Sequence, residues 1–166
     1  MRKVWNIITN LILGILILFI LAFFALFAMG MRPYVIVSGS MEPTIQTGSV
    51  CFVDETVTYE EVQENDIIAY EAANGSYVTH RAIDITESGI ETKGDNNDVS
   101  DGVSTTEENF IGLTKFSIPY LGYFSRFIAT TTGKVVVGAI FLIFIIVGMM
   151  IKEVSSDKNK KHSGES

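Results

Sequence analysis

The chain of 166 residues contains one cysteine, Cys51, so no internal disulfide is available to it. Cys51 lies in the apolar run Val50-Cys51-Phe52-Val53 and reads as a buried core residue, not as a reactive thiol. Basic residues are also scarce. Between residues 33 and 133 there are four, Arg81, Lys93, Lys115 and Arg126, against sixteen acidic ones, which is all nineteen in the chain except Glu153, Asp157 and Glu165. That imbalance excludes a nucleic-acid partner, because polyanions are held by basic patches. Histidine is scarcer still, with only His80 and His162. No internal repeat and no long amphipathic helical pattern is present. The acidic run around Asp95 lacks the alternating aspartates and closing glutamate of a calcium loop.

What the chain has in excess is apolar surface: 48% hydrophobic residues and a mean hydropathy of +0.34, too apolar for an ordinary soluble domain. Residues 11–31 are all apolar or glycine. As a helix they would rise about 32 Å, close to the hydrocarbon thickness of a bilayer, and they predict a transmembrane anchor. The competing reading is a cleaved secretory signal, suggested by Arg2, Lys3 and the small residues Ala28 and Gly30. Its hydrophobic stretch would be only about 7–15 residues, which favours the anchor. A second charge-free run, 135–151, is read as another span, with 127–133 extending it into the interface. Arg2, Lys3, Lys152, Lys158, Lys160 and Lys161 predict that both termini are cytoplasmic. The expected organisation is therefore a short cytoplasmic segment (1–10), an anchor (11–31), an extracytoplasmic domain (32–134), a second span (135–151) and a disordered cytoplasmic tail (152–166).

Between the spans, short apolar runs at 34–37, 49–53, 66–70, 77–85, 89–92 and 110–118 predict strands. Asn74-Gly75 predicts a hairpin with a type I′ turn, and Ser88-Gly89 predicts the next turn. Residues 56–65 read as one helical turn or a solvated loop. The fold class expected is mostly β: an antiparallel β-rich domain flanked by two transmembrane helices.

The segment that carries chemistry is Ser38-Gly39-Ser40-Met41-Glu42-Pro43-Thr44, just after the first span. Eleven residue steps separate Met29 from Ser40, so Ser40 can lie no more than about 36 Å from the helix end. A serine hydroxyl needs a base to become a nucleophile, and the best base titrates near ambient pH. His80 is the only histidine of the outward-facing loop, and His162 falls in the tail. Lys93 and Lys115 would have to be desolvated before either served. Alternation along Tyr77-Val78-Thr79-His80-Arg81 puts Val78 and His80 on one face, turned inward. An acid to orient the imidazole is offered by Asp95, Asp98 or Asp101, among which the residue pattern does not choose. Each feature has a plain alternative: a loop serine, a hydrogen-bonded structural histidine and an ordinary Asx-rich turn.

Taken in order, Ser38 to Thr44, then Thr79-His80-Arg81, then Thr92-Lys93-Gly94-Asp95-Asn96-Asn97, resemble the boxes of type I signal peptidases. Fainter echoes are Gly48-Ser49-Val50, Asn65-Asp66-Ile67-Ile68-Ala69-Tyr70 and Gly112 through Gly122. With histidine where many bacterial members have lysine, the chain is similar to the endoplasmic-reticulum type also found in archaea and some Gram-positive bacteria. The resemblance implies Ser40 as nucleophile, His80 as base, Asp101 as the acid and Asp95 as an auxiliary carboxylate. It also implies that the Ser38 hydroxyl and the Ser40 N–H hold the oxyanion. Asn65 departs from the glycine usual at its position. No metal or organic cofactor is implied. The implied partners are signal-peptide-bearing precursors with small residues first and third before the cut, the lipid bilayer and a secretion translocon. The alternative from another class is a non-catalytic, membrane-anchored β module that binds precursors or a translocation complex.

Overall fold

A computed structural model describes residues 2–163 of the chain. Two long helices bracket the molecule's chain order: α1, Arg2–Ala28, and α3, Thr131–Ser163. Within them Lys3–Ala28 (26 residues) and Thr131–Met150 (20 residues) are long and apolar enough to cross a membrane. Their unit is held in part by Trp5 against Phe144, ring centroids 5.3 Å apart. The helical boundaries differ from the expected 11–31 and 135–151. The first helix stops earlier because Gly30 takes a left-handed φ of 82°, and a strand starts at Met31. The second continues to Ser163 over the stretch read as a disordered tail, where no proline or glycine interrupts a helix that is already nucleated.

The remaining unit, residues 24–126, is built on one antiparallel sheet of seven strands. These are β1 Met31–Val35, β2 Val50–Asp54, β3 Ile67–Glu71, β4 Tyr77–Thr86, β5 Gly89–Lys93, β6 Val103–Thr105 and β7 Phe110–Ile118. Their order is β1-β2-β7-β3-β4-β5-β6. The continuous apolar run of β2 marks an interior strand: Val50 to Val53 are all buried, flanked by β1 and β7. The mostly β fold class expected from the sequence is the one observed.

Three local features depart from expectation. The hairpin joining β3 to β4 is present, but its turn is not type I′, because among the described residues only Asn65 and Tyr120 are non-glycines with positive φ. Gly75 alone is left-handed (φ 77°); its N–H reaches Ala72 O (2.8 Å), while the Asn74 side chain accepts from the Ser76 N–H and hydroxyl. Strand β6 was not anticipated, since three residues are too few to show a period. A separate short helix, α2 Leu121–Ala129, takes 127–129 of the expected extension of the second span, while 131–133 do extend that span as the start of α3. Helix α2 ends because Thr130 caps α3, its hydroxyl accepting the Gly133 N–H at 2.9 Å.

Two apolar clusters support the sheet. Val62, Ile68, Tyr70, Ala82 and Ile90 form one beneath β3, β4 and β5. Met41, Ile45 and Cys51 form the other, with Ile36 and Ile67 packed on it, and this second cluster lies directly under the Ser40 segment. Cys51 is fully buried there, and burial pushes its thiol up to about 11, so it stays protonated and inert.

Candidate active site

The Ser40 segment is fixed from both ends of its turn. Met41, next to Ser40, is fully buried in the second cluster, so the backbone at Ser40 is pinned by apolar burial. Behind it, Glu42 Oε1 accepts the Thr47 N–H (3.2 Å) and hydroxyl (2.8 Å), which close the turn. The turn after β5 leans on the same spot: Asn96 N donates to Ser40 O at 2.8 Å and Asn96 Nδ2 to Gly39 O at 3.3 Å. This approach needs Gly94. A Cβ there would come within 2.6 Å of Ser40 O, so any side chain would push the turn off the serine.

His80 comes from the middle of β4, opposite Ile68 on β3, and is 8% exposed. Its Nε2 is 2.9 Å from Ser40 Oγ, and its Nδ1 is 2.5 Å from Asp101 Oδ2. Ser38 Oγ stands 3.2 Å from Ser40 Oγ on the exposed side. Four of the predicted residues, Ser38, Ser40, His80 and Asp101, are therefore in one chain of contacts.

The three candidate acids part company. Asp101 takes the imidazole. Asp98 is exposed. Asp95 pairs with Arg81, whose Nε and Nη2 donate to its two oxygens at 2.8 and 2.7 Å. That fork and the Thr44 hydroxyl hold the Asp95 carboxyl below the usual carboxylate range against the opposing effect of burial. Through Thr44 the pair ties β4 to the far end of the Ser40 segment. Arg81 Nη1 also donates to Asn65 O at 2.7 Å. Asn65 itself adopts φ 74°, a left-handed conformation that asparagine tolerates better than most side chains. Of the lysines considered as bases, Lys115 has its Nζ 3.9 Å from Asp54, and Lys93 stands in the sheet opposite Arg81.

Sequence reasoning missed the hydroxyls around Asp101. Thr92 Oγ1 donates to Asp101 Oδ2 at 2.7 Å, and the Tyr70 hydroxyl donates to the same oxygen at 3.4 Å. Ser104 Oγ, on the unforeseen β6, is 2.6 Å from Thr92 Oγ1. The signal available was Thr92 itself, a polar residue two positions from Ile90 and so on the same core face of β5. Beside the serine, residues 35–38 and 77–80 line a cleft of about 270 Å³ that ends on Ser40 and His80.

A hydroxyl bonded to one nitrogen of an imidazole whose other nitrogen meets a carboxylate is the arrangement of a serine nucleophile. Comparison with known proteins points the same way. The family model described as "Signal peptidase, peptidase S26" matches residues 8–107. Signal peptidase I W of Bacillus subtilis (strain 168) is 34% identical over 131 residues, covering 72% of this chain and 69% of that protein. The signal peptidase complex catalytic subunit SEC11 of Colletotrichum graminicola is 33% identical over 101 residues, covering 54% of this chain and 59% of that protein. Its counterpart in Candida tropicalis is 31% identical over 102 residues. With a family match over more than half its length, the chain belongs to the signal peptidases of family S26.

Proposed function

We propose that the chain is a membrane-anchored serine endopeptidase that removes signal peptides from secreted and membrane precursors, using Ser40, His80 and Asp101. One observation carries the mechanism: Ser40 Oγ, His80 and Asp101 Oδ2 form a continuous line of short contacts, 2.9 and 2.5 Å long.

In this reading Ser40 Oγ bonds to the scissile carbonyl carbon while its proton passes to His80 Nε2. Asp101, ionised, accepts the Nδ1–H, fixes the tautomer and stabilises the imidazolium that forms. The Ser38 hydroxyl and the Ser40 N–H hold the oxyanion. When the C–N bond breaks, Nε2 returns its proton to the leaving amine. Water then attacks the acyl ester, with His80 again as base, and Ser40 is regenerated. The 270 Å³ cleft beside Ser40 is where the residues before the cut would lie, and the family resemblance puts small side chains at the first and third of them.

The two apolar helices support a multi-pass membrane protein. The basic residues of the two ends favour cytoplasmic termini and an extracytoplasmic sheet domain. Tethering to the bilayer raises the effective concentration of a substrate whose signal helix is still embedded. The fungal relatives are named as catalytic subunits of a signal peptidase complex, and on that likeness the chain works with partner subunits; a secretion translocon is the partner that delivery of unprocessed precursors would call for.

The test is cleavage of a signal-bearing precursor by the purified full chain in detergent. The wild type yields a shortened product, and Ser40→Ala yields none. If Ser40→Ala cleaves at the wild-type rate, the assignment is wrong. If the wild type also fails, a non-catalytic precursor-binding module becomes the better reading.

A further inference from the structure

The Asp101 oxygen that meets His80 Nδ1 also meets a polar group inside the sheet that the catalytic scheme leaves without a task. Strand β5 directs Ile90 and Thr92 to the core, and both are 0% exposed. Valine has the shape of threonine, so an apolar residue would fill the position of Thr92 as well. A hydroxyl there costs free energy unless its hydrogen bonds are made.

The hydrogen count fixes what the Thr92 hydroxyl does. Thr92 Oγ1 has three neighbours: Asp101 Oδ2 at 2.7 Å, Ser104 Oγ at 2.6 Å and the Tyr70 hydroxyl at 3.2 Å. It has one hydrogen to give. An ionised carboxylate only accepts, so that hydrogen goes to Asp101, and Ser104 donates to Thr92 in turn. Ser104 thereby orients Thr92, and Thr92 orients the oxygen that receives His80 Nδ1–H. The segment that carries Asp101 is tied to the same residue through its backbone: Asp101 N donates to Thr92 O at 2.8 Å, and Thr92 N to Gly102 O at 3.3 Å.

We infer that Thr92 is a positioning residue for the peptidase reaction, fixing the Asp101 carboxylate on His80 through its hydroxyl, with Ser104 as its own support. The inference rests on the serine-peptidase reading above. Thr92 touches neither the nucleophile nor the substrate cleft, so its loss acts on turnover and leaves binding alone.

The experiment compares Thr92→Val, Thr92→Ser and Ser104→Ala with the wild-type full chain in detergent, on one signal-bearing precursor, with Ser40→Ala as the blank. Thr92→Val is expected to lower kcat about tenfold or more with KM within twofold of wild type, in line with the loss of a supporting hydrogen bond. Thr92→Ser, which keeps the hydroxyl, is expected to restore most of kcat. Ser104→Ala is expected to give a smaller fall of the same kind. Wild-type kcat in Thr92→Val, or equal losses in the valine and serine variants, would overturn the inference. Should Thr92→Val fail to fold, Ser104→Ala decides: a lower kcat at unchanged KM supports it, and wild-type kcat overturns it. Cleavage by Ser40→Ala would instead refute the serine-peptidase reading itself.

Discussion

Two neighbours on β4, His80 and Arg81, each engage an aspartate from the same seven-residue stretch, 95–101, and the two regions they build are of different kinds. On one face, His80 meets Asp101 among hydroxyls, with the imidazole side chain only 10% exposed. On the other, Arg81 grips Asp95 in a two-pronged ion pair whose side chains are 27% and 13% exposed. Histidine changes its charge near neutral pH and arginine never does. A carboxylate facing histidine can follow a proton through a reaction, whereas one facing arginine is locked. The alternation of a strand thus puts a reactive pair and a clamp on opposite faces from adjacent residues, while the two acids lie six positions apart.

Asp101→Asn attacks the reactive side of this contrast and should have the largest effect. It keeps the shape but loses the charge that sets the tautomer, and a fall in kcat of about ten-thousandfold is expected with little change in thermal stability. Ser38→Ala comes next. On the proposed oxyanion role of its hydroxyl, this change should lower kcat about a hundredfold, measured in the same cleavage assay. The clamp side gives the smallest catalytic effect and the larger structural one. Asp95→Asn leaves Arg81 without its anion and should cost about 1–3 kcal/mol in denaturant unfolding. The pH dependence has a definite sign. Because the folded carboxyl of Asp95 is depressed by Arg81, the clamp's contribution is fully present above the ordinary aspartate pKa of about 4 and disappears as pH falls through the lower folded value. The acid loss of stability should therefore be shallower in Asp95→Asn. Were Asp95→Asn to abolish turnover while Asp101→Asn left it intact, the division between the two faces would be reversed.

Much of this was legible in the residues. The run 110–118 appears as β7 with the same bounds, and Ser40 and His80, both singled out by residue type, lie within hydrogen-bond distance of each other. The left-handed Asn65 fits a position where glycine is usual, since both residues tolerate that backbone. What a linear reading could not supply was long-range pairing. That β7 lies between β2 and β3 depends on contacts some fifty residues apart in sequence, and periodicity does not encode them. The residue pattern left the choice among Asp95, Asp98 and Asp101 open for the same reason, and only the family resemblance named Asp101: turn residues announce a turn but not the direction in which each carboxylate points. Asn74-Gly75 gave the hairpin but not its turn, because left-handed Gly75 alone, aided by the Asn74 side chain, was enough to reverse the chain.

The central claim is that the imidazole of His80 takes the proton from Ser40. It is tested most directly by the time course of precursor cleavage with purified His80→Ala, folded as judged by its unfolding transition. The account predicts a rate lower by roughly a millionfold, so that no product appears over the wild-type time course. Product formation at the wild-type rate would contradict it, because the proton would then have to leave Ser40 by a route that does not include His80.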